Sequence, residues 1–192
     1  MNDPEKALWE MLAGHARSMP ERERLAYIVR LLWGSDYGWG KEIIGDVDCS
    51  GSVCFALYTM GYDIRITAHD IYHKLCSGFS GNPRPGDLIF FSEGEDSRIV
   101  HVAVFSDNEV LMNAARHFED TRFEDEIEYR RQKGQEHMMI GALNWKAISQ
   151  LAKEGQNSYS IDTELKPLFG VFGFDNLDIY TGRFLKNNPT TI

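Results

Sequence analysis

Cys49, His101 and Asn113 are the residues whose types and order could carry covalent chemistry. A thiol attacks well only as its thiolate. It needs a base within hydrogen-bond reach, and that base needs a third group to hold its tautomer. Cys49 stands just before the stripe Val53, Ala56, Leu57 and Met60, whose i, i+3, i+4, i+7 spacing predicts a helix stopped by Gly61. In a helix's first turn the unpaired backbone N–H groups favour negative charge, so the position predicts an activated thiol. Ser50 and Gly51 are small and leave room for a substrate backbone. The plainer reading is a buried structural cysteine, because free cysteines are among the most buried residues.

His101 heads the run HVAVF and Asn113 lies in VLMNAA, on either side of Ser106, Asp107 and Asn108, a hairpin-type turn. Residues before and after such a turn lie roughly opposite one another, so the imidazole and the amide can project from one face. That pairing shifts the balance for Cys49 from structure towards chemistry.

The elements that must hold these residues follow from the rest of the pattern. Leu8, Met11 and Leu12, then Leu25, Ile28, Val29 and Leu32, predict two amphipathic helices, the second opened by Pro20. Gly34, Gly38, Gly40 and Gly45 mark a shaped loop before Cys49. A short helix is expected over Ala68 to Leu75, and NPRPGD is turn chemistry leading into a strand at Leu88, Ile89, Phe90 and Phe91. Helix first, then antiparallel strands, indicates an α+β architecture. The charged stretch from Arg116 to His137 fits strand, helix or loop equally and reads as a solvated face. Ala142 to Ala152 looks helical, and LKPLFGVFGFDNLDIY suggests late strands or loops on the same core.

Three ordered segments, D-V-D-C-S-G-S-V, P-R-P-G-D-L-I-F-F and H-V-A-V-F with N-A-A one strand later, resemble the NlpC-type papain-like cell-wall cysteine peptidases. The resemblance runs from about Leu31 to Ala115. It implies a papain-like α+β NlpC fold, with the nucleophile at a helix N-terminus packed on an antiparallel sheet. It implies Cys49 as nucleophile, His101 as general base and acid, and Asn113 as the orienting residue, a place often filled by histidine in relatives. Tyr37, in D-Y-G-W-G, resembles the family's Tyr-x-Trp-Gly stretch and would line the cleft, where its phenol could donate to an oxyanion. The plainer role is an aromatic anchor for the loop. R-I-T-A-H-D resembles the Arg-x-Ser segment, placing Arg65 and Thr67 on the substrate side beside Ser50. Asp48 corresponds to an aspartate that holds a free amino group of the substrate, although Asp at a helix start is also an ordinary N-cap.

The implied activity is hydrolysis of peptidoglycan stem peptides through an acyl-enzyme, at the bond between γ-linked D-glutamate and a diamino acid. It needs no cofactor. A related amidase chemistry and a non-catalytic tail or assembly module are the rival readings. His69, His73 and Cys76 fall at i, i+4 and i+7 and could face a zinc ion, but no fourth ligand stands at good spacing, so an exposed polar face is expected and no metal.

With 192 residues, 43% of them hydrophobic, the chain is expected to form a single domain. Within it, 1–32 would be a helical extension, 33–115 would carry the catalytic motifs, and 116–192 would be a divergent remainder. A net charge of -9 without a basic block argues against nucleic acid as partner. Charges interrupt every apolar stretch of the N-terminal segment before signal or membrane-spanning length, so no membrane insertion is expected and synthesis is read as cytoplasmic. Three cysteines are too few for a disulfide scaffold and fit reduced thiols. Access to the wall would then need a holin, a tail structure or a secretion system, with a phage or prophage lysin as leading setting and a cytoplasmic muropeptide-recycling enzyme as alternative. A monomer is the default expectation.

Overall fold

The computed structural model describes residues 15–155 apart from 31, 33, 35, 40–41, 44–45, 107–109 and 115–117. The first expected helix, at Leu8 to Leu12, and the expected late strands around 166–180 lie outside the described residues. The second is helix α1 (Glu21–Arg30), which follows Pro20 and buries Leu25, Ile28 and Val29. The Gly-rich loop forms three two-residue strands, β1 (Asp36–Tyr37), β2 (Glu42–Ile43) and β3 (Asp46–Val47), with β3 in the middle.

Helix α2 (Cys49–Thr59) begins where the spacing places it, and every one of its residues is buried. Its C-terminus closes in a Schellman arrangement: Gly61, at φ 95, donates to the Tyr58 carbonyl and Tyr62 donates to the Leu57 carbonyl. The expected helix at 68–75 is one turn, α3 (Ala68–Asp70), running into a π-helical turn at Ile71–Leu75. A six-stranded antiparallel sheet follows, with strands β4 (Cys76–Phe79), β5 (Leu88–Ser92), β6 (Ile99–Phe105), β7 (Val110–Ala114), β8 (Phe118–Arg122) and β9 (His137–Leu143). Their spatial order is β4-β9-β5-β6-β7-β8.

The expected α+β class, helices leading into antiparallel strands, is what the chain forms. Two expectations are corrected. The stretch from Arg116 to His137 is not merely a solvated face, because it holds β8 and helix α4 (Phe123–Gln132), whose Glu126 and Arg130 are buried. Ala142 and Leu143 end β9, and the last described helix, α5 (Trp145–Glu154), starts after Asn144, whose side chain caps Lys146 and Ala147.

The sheet is covered on both faces. On one, Val102, Val104, Met112, Ala114 and Phe90 join α1 and α2 in the main core. On the other, Ile89, Phe91, Ala103, Phe105 and Leu111 meet Phe123 and Ile127 of α4. Strand alternation explains the division, since neighbouring residues point to opposite faces. Among the described residues no helix is long and apolar enough to cross a membrane.

Candidate active site

Asp48 opens α2. Its Oδ1 accepts from the Gly51 N–H (2.5 Å) and the Ser50 hydroxyl (2.9 Å), and its Oδ2 pairs with the Arg65 guanidinium at 3.0 Å. Arg65 also donates to Ser50 Oγ (3.1 Å) and to the Ile66 carbonyl (3.0 Å), so Ser50, Asp48 and Arg65 form one clamp at the head of α2. Both proposed duties of Asp48 remain compatible with this geometry, and the N-cap is directly observed. Removing it in Asp48→Ala takes the carboxylate from Arg65 as well as the cap from the helix start, and is expected to cost about 2 kcal/mol. An unchanged midpoint in urea unfolding would remove the structural half of the assignment.

Cys49 itself is buried, 9% exposed, at the floor of a cleft of about 360 Å³. Its Sγ receives backbone hydrogen bonds from Val102 and from Ser50, so the thiol lies against the strand residue that follows His101. Those two N–H groups and the Arg130 charge favour the thiolate, but burial and the adjacent Asp48 outweigh them and push the thiol up. The activation expected from helix position alone is therefore overridden: desolvation is the larger effect here.

His101 is placed by a β-bulge. Phe91 pairs with His101 and Ser92 pairs with Ile99, so Val100 is an extra residue on β6. The extra residue changes the alternation, and Ile99 joins the main core while His101 falls on the α4 side with Ala103 and Phe105. His69 fixes the strand's start, its Nδ1 accepting from the Ile99 N–H at 3.4 Å. His101 Nε2 lies 2.5 Å from Asn113 Oδ1, which bears out their expected projection from one face. Burial, joined by the Arg130 charge, holds the imidazole well below its ordinary pKa, against the Asn113 hydrogen bond that raises it. The ring is therefore neutral at pH 7.

The cleft wall opposite is built from the small sheet. Tyr37 pairs with Val47 across β1 and β3, which carries the phenol to the cleft beside Cys49. Burial, then the nearby Cys49 and Asp48, push that phenol up to about 12, so it stays protonated and able to donate. Thr67 also lines the cleft, but its hydroxyl is engaged in capping α3, donating to Asp70 Oδ2 at 2.7 Å and accepting from the Asp70 N–H at 3.2 Å.

The structure thus gathers Tyr37, Asp48, Cys49, Ser50, Arg65 and Thr67 around one cleft, while His101 and Asn113 are paired with each other and are not among its lining residues. Sequence reasoning missed Trp39, 86% exposed on the rim, and Arg98 and Val100 along the same wall. It also missed Glu126 and Arg130, which stand behind Asn113. The expected polar face of His69, His73 and Cys76 is corrected in part: the two imidazoles lie side by side, tilted 58° with centroids 4.4 Å apart, but Cys76 starts β4 and burial pushes its thiol up to about 12. No group of three or more His, Cys, Asp or Glu able to hold a metal occurs among the described residues.

"Probable endopeptidase p60" of Listeria seeligeri is 31% identical over 81 residues, 42% of this chain and 15% of that protein. The protein of the same name from Listeria monocytogenes is 31% identical over 81 residues, 42% of this chain and 16% of its own length. The matched segment is thus a small part of these relatives. The structure of NlpC2 from Trichomonas vaginalis superposes with a TM-score of 0.47 at 21% identity, covering 56% of this chain and 44% of that one. The pattern of the NlpC/P60 family matches residues 34–134, which contain the cleft, the bulged strand and helix α4. By that match, over more than half its length, the chain belongs to the NlpC/P60 family.

Proposed function

We propose that this chain is a cysteine peptidase that hydrolyses peptide bonds in bacterial peptidoglycan stems. The observation that carries the reading is the thiol of Cys49 lying against β6 at Val102, one residue along the strand from a neutral His101 whose Nε2 is tied to Asn113. In the proposed reaction the Cys49 sulfur attacks a peptide carbonyl while its proton passes to His101. The imidazolium protonates the leaving amine, and water, deprotonated by the same imidazole, then releases the acyl group. The Cys49 N–H and the protonated Tyr37 phenol would receive the developing oxyanion. The proposed bond joins γ-linked D-glutamate to the diamino acid of the stem.

Purified peptidoglycan incubated with the protein, followed by mass analysis of what is released, tests this reading. Fragments ending at the D-glutamate–diamino acid bond support it. Intact stem peptides identify an amidase instead, and the absence of fragments removes the enzyme. The setting proposed with it, a phage or prophage lysin reaching the wall after cytoplasmic synthesis, rests on family resemblance and predicts faster cleavage of intact sacculi than of free muropeptides.

The pKa directions predict the pH profile. The reaction starts from thiol and neutral imidazole, a state that exists between the lowered His101 pKa and the raised Cys49 pKa. On the acid side, activity falls only once His101 is protonated, below the ordinary histidine value of about 6.5. On the alkaline side it holds beyond the ordinary thiol value of about 8.5. A plateau in kcat/KM wider than these roughly 2 units is expected. A bell narrower than that contradicts the neutral-pair assignment.

A further inference from the structure

Behind the imidazole stands a polar chain that the proposed reaction does not by itself require. Asn113 Nδ2 donates to Glu126 Oε2 at 2.8 Å, and Glu126 Oε1 accepts from Arg130 Nε at 2.5 Å. Arg130 in turn donates to Gln135 Oε1 at 3.0 Å, and its guanidinium lies 5.7 Å from the centroid of the Phe91 ring. Asn113, Glu126, Arg130 and His101 are all at most 8% exposed, so water does not replace any member. A buried carboxylate is costly unless paired, and its retention here at a position facing the site needs a reason.

The donor and acceptor inventory supplies one. A carboxylate only accepts, so the Asn113 amide must turn its NH2 towards Glu126 and its oxygen towards His101. An amide oxygen only accepts, so the ring nitrogen facing it, Nε2, must carry the proton. In a neutral imidazole that leaves Nδ1 with the lone pair. We propose that Glu126, braced by Arg130, is a positioning residue that fixes the polarity of the Asn113 amide and through it the Nε2–H tautomer of His101. Arg130 has two effects: it holds the carboxylate in line, and it offsets a negative charge that would otherwise lie 3.7 Å from the imidazole. The pair therefore delivers orientation while Arg130 keeps the carboxylate from favouring an imidazolium.

The significance for catalysis rests on the peptidase reading above, but the tautomer can be read without any substrate. Long-range proton–nitrogen correlation spectra of the full chain labelled with 15N-histidine, at pH 7, report which nitrogen of His101 carries hydrogen, the signal being assigned by its loss in His101→Gln. The Nε2–H form is expected in the wild type. In Glu126→Gln the new amide must turn its oxygen to Arg130 and its NH2 to Asn113, which reverses Asn113 and moves the ring proton to Nδ1. Adding Asn113→Asp restores the chain, because the aspartate accepts from both the ring and the glutamine while the total charge is unchanged.

The spectra are therefore expected to read Nε2–H, Nδ1–H and Nε2–H across the wild type, the single variant and the double variant. On peptidoglycan stem peptides, kcat should fall by about 10²-fold in Glu126→Gln with little change in KM, and most of it should return in the double variant. A purely structural role for Glu126 would leave the tautomer unchanged and give no rescue, and either result overturns the proposal. So does an Nδ1–H wild type, which decides the matter even if Glu126→Gln does not fold. A wild type that releases no fragments yet shows the expected tautomers sinks the peptidase reading and leaves this one standing.

Discussion

Cys49→Ala is expected to lose the release of peptidoglycan fragments by at least about 10⁴-fold while keeping its fold. The size follows from what the sulfur does. It forms the acyl bond, and no neighbour can take its place: Ser50 is locked into the Asp48 clamp, and Cys54 is buried with its thiol pushed up to about 11 and directed at the Ile66 carbonyl. Cys49→Ser is expected to be nearly as inactive, since a hydroxyl is a far weaker nucleophile beside a single imidazole. Folding should survive, because the lost sulfur leaves only a small gap at the cleft floor and the cap made by Asp48 does not involve it. Fragment release and a thermal melt, measured on the same preparations, separate the two quantities. Activity retained in both variants would remove the nucleophile assignment altogether.

Gly86→Ala is expected to destabilise the fold by about 3 kcal/mol or more, lowering the melting midpoint by roughly 10 °C. Gly86 sits at φ +85, which disfavours any side chain, and a Cβ there would stand 2.1 Å from the backbone carbonyl of Arg22. Neither partner can step aside. The Gly86 N–H is bonded to the Phe105 carbonyl at 2.8 Å, and Arg22 is in the first turn of α1, whose apolar face fills the core. The turn also holds Asp87, fully buried, with Oδ2 accepting from the Arg84 N–H at 2.8 Å. Gly134 provides the control: at φ +69 it has open space around it, so Gly134→Ala should show the smaller cost of the dihedral alone. Equal losses in the two variants would mean that the approach of α1 to the turn is not what constrains Gly86.

These two sites also mark what could be read from the sequence. PGD before a run of apolar residues, and a cysteine ahead of a 3.6-period stripe, are local signals, and local signals gave β5 and α2 their places. His101 and Asn113 were reachable because a hairpin relates them by simple register. Helix α4 was not reachable in that way. Its inward stripe is Phe123, Glu126, Ile127 and Arg130, and charges at two of those four positions erase the apolar period that announces a buried face. The same chemistry that hid the helix is what ties it to the site. The bulge at Val100 and the reach of Arg98 and Trp39 into the cleft depend on pairings between distant strands, for which no short-range pattern exists. Helix position suggested an activated thiol, and only the packed environment revealed that desolvation runs the other way.

The strand order has a consequence for how the molecule comes into being. β9 lies between β4 and β5, yet it is the last strand of the sheet to leave the ribosome, and β5 cannot complete its inner ladder before residue 141 has emerged. Until then the strand preceding the bulge has one bare edge, and the face that carries His101 rests on a half-built sheet. Long-range pairing of this kind slows folding because a large loop must close before any contact repays it. The nascent chain thus passes Asn113 well before the sheet that holds it is complete.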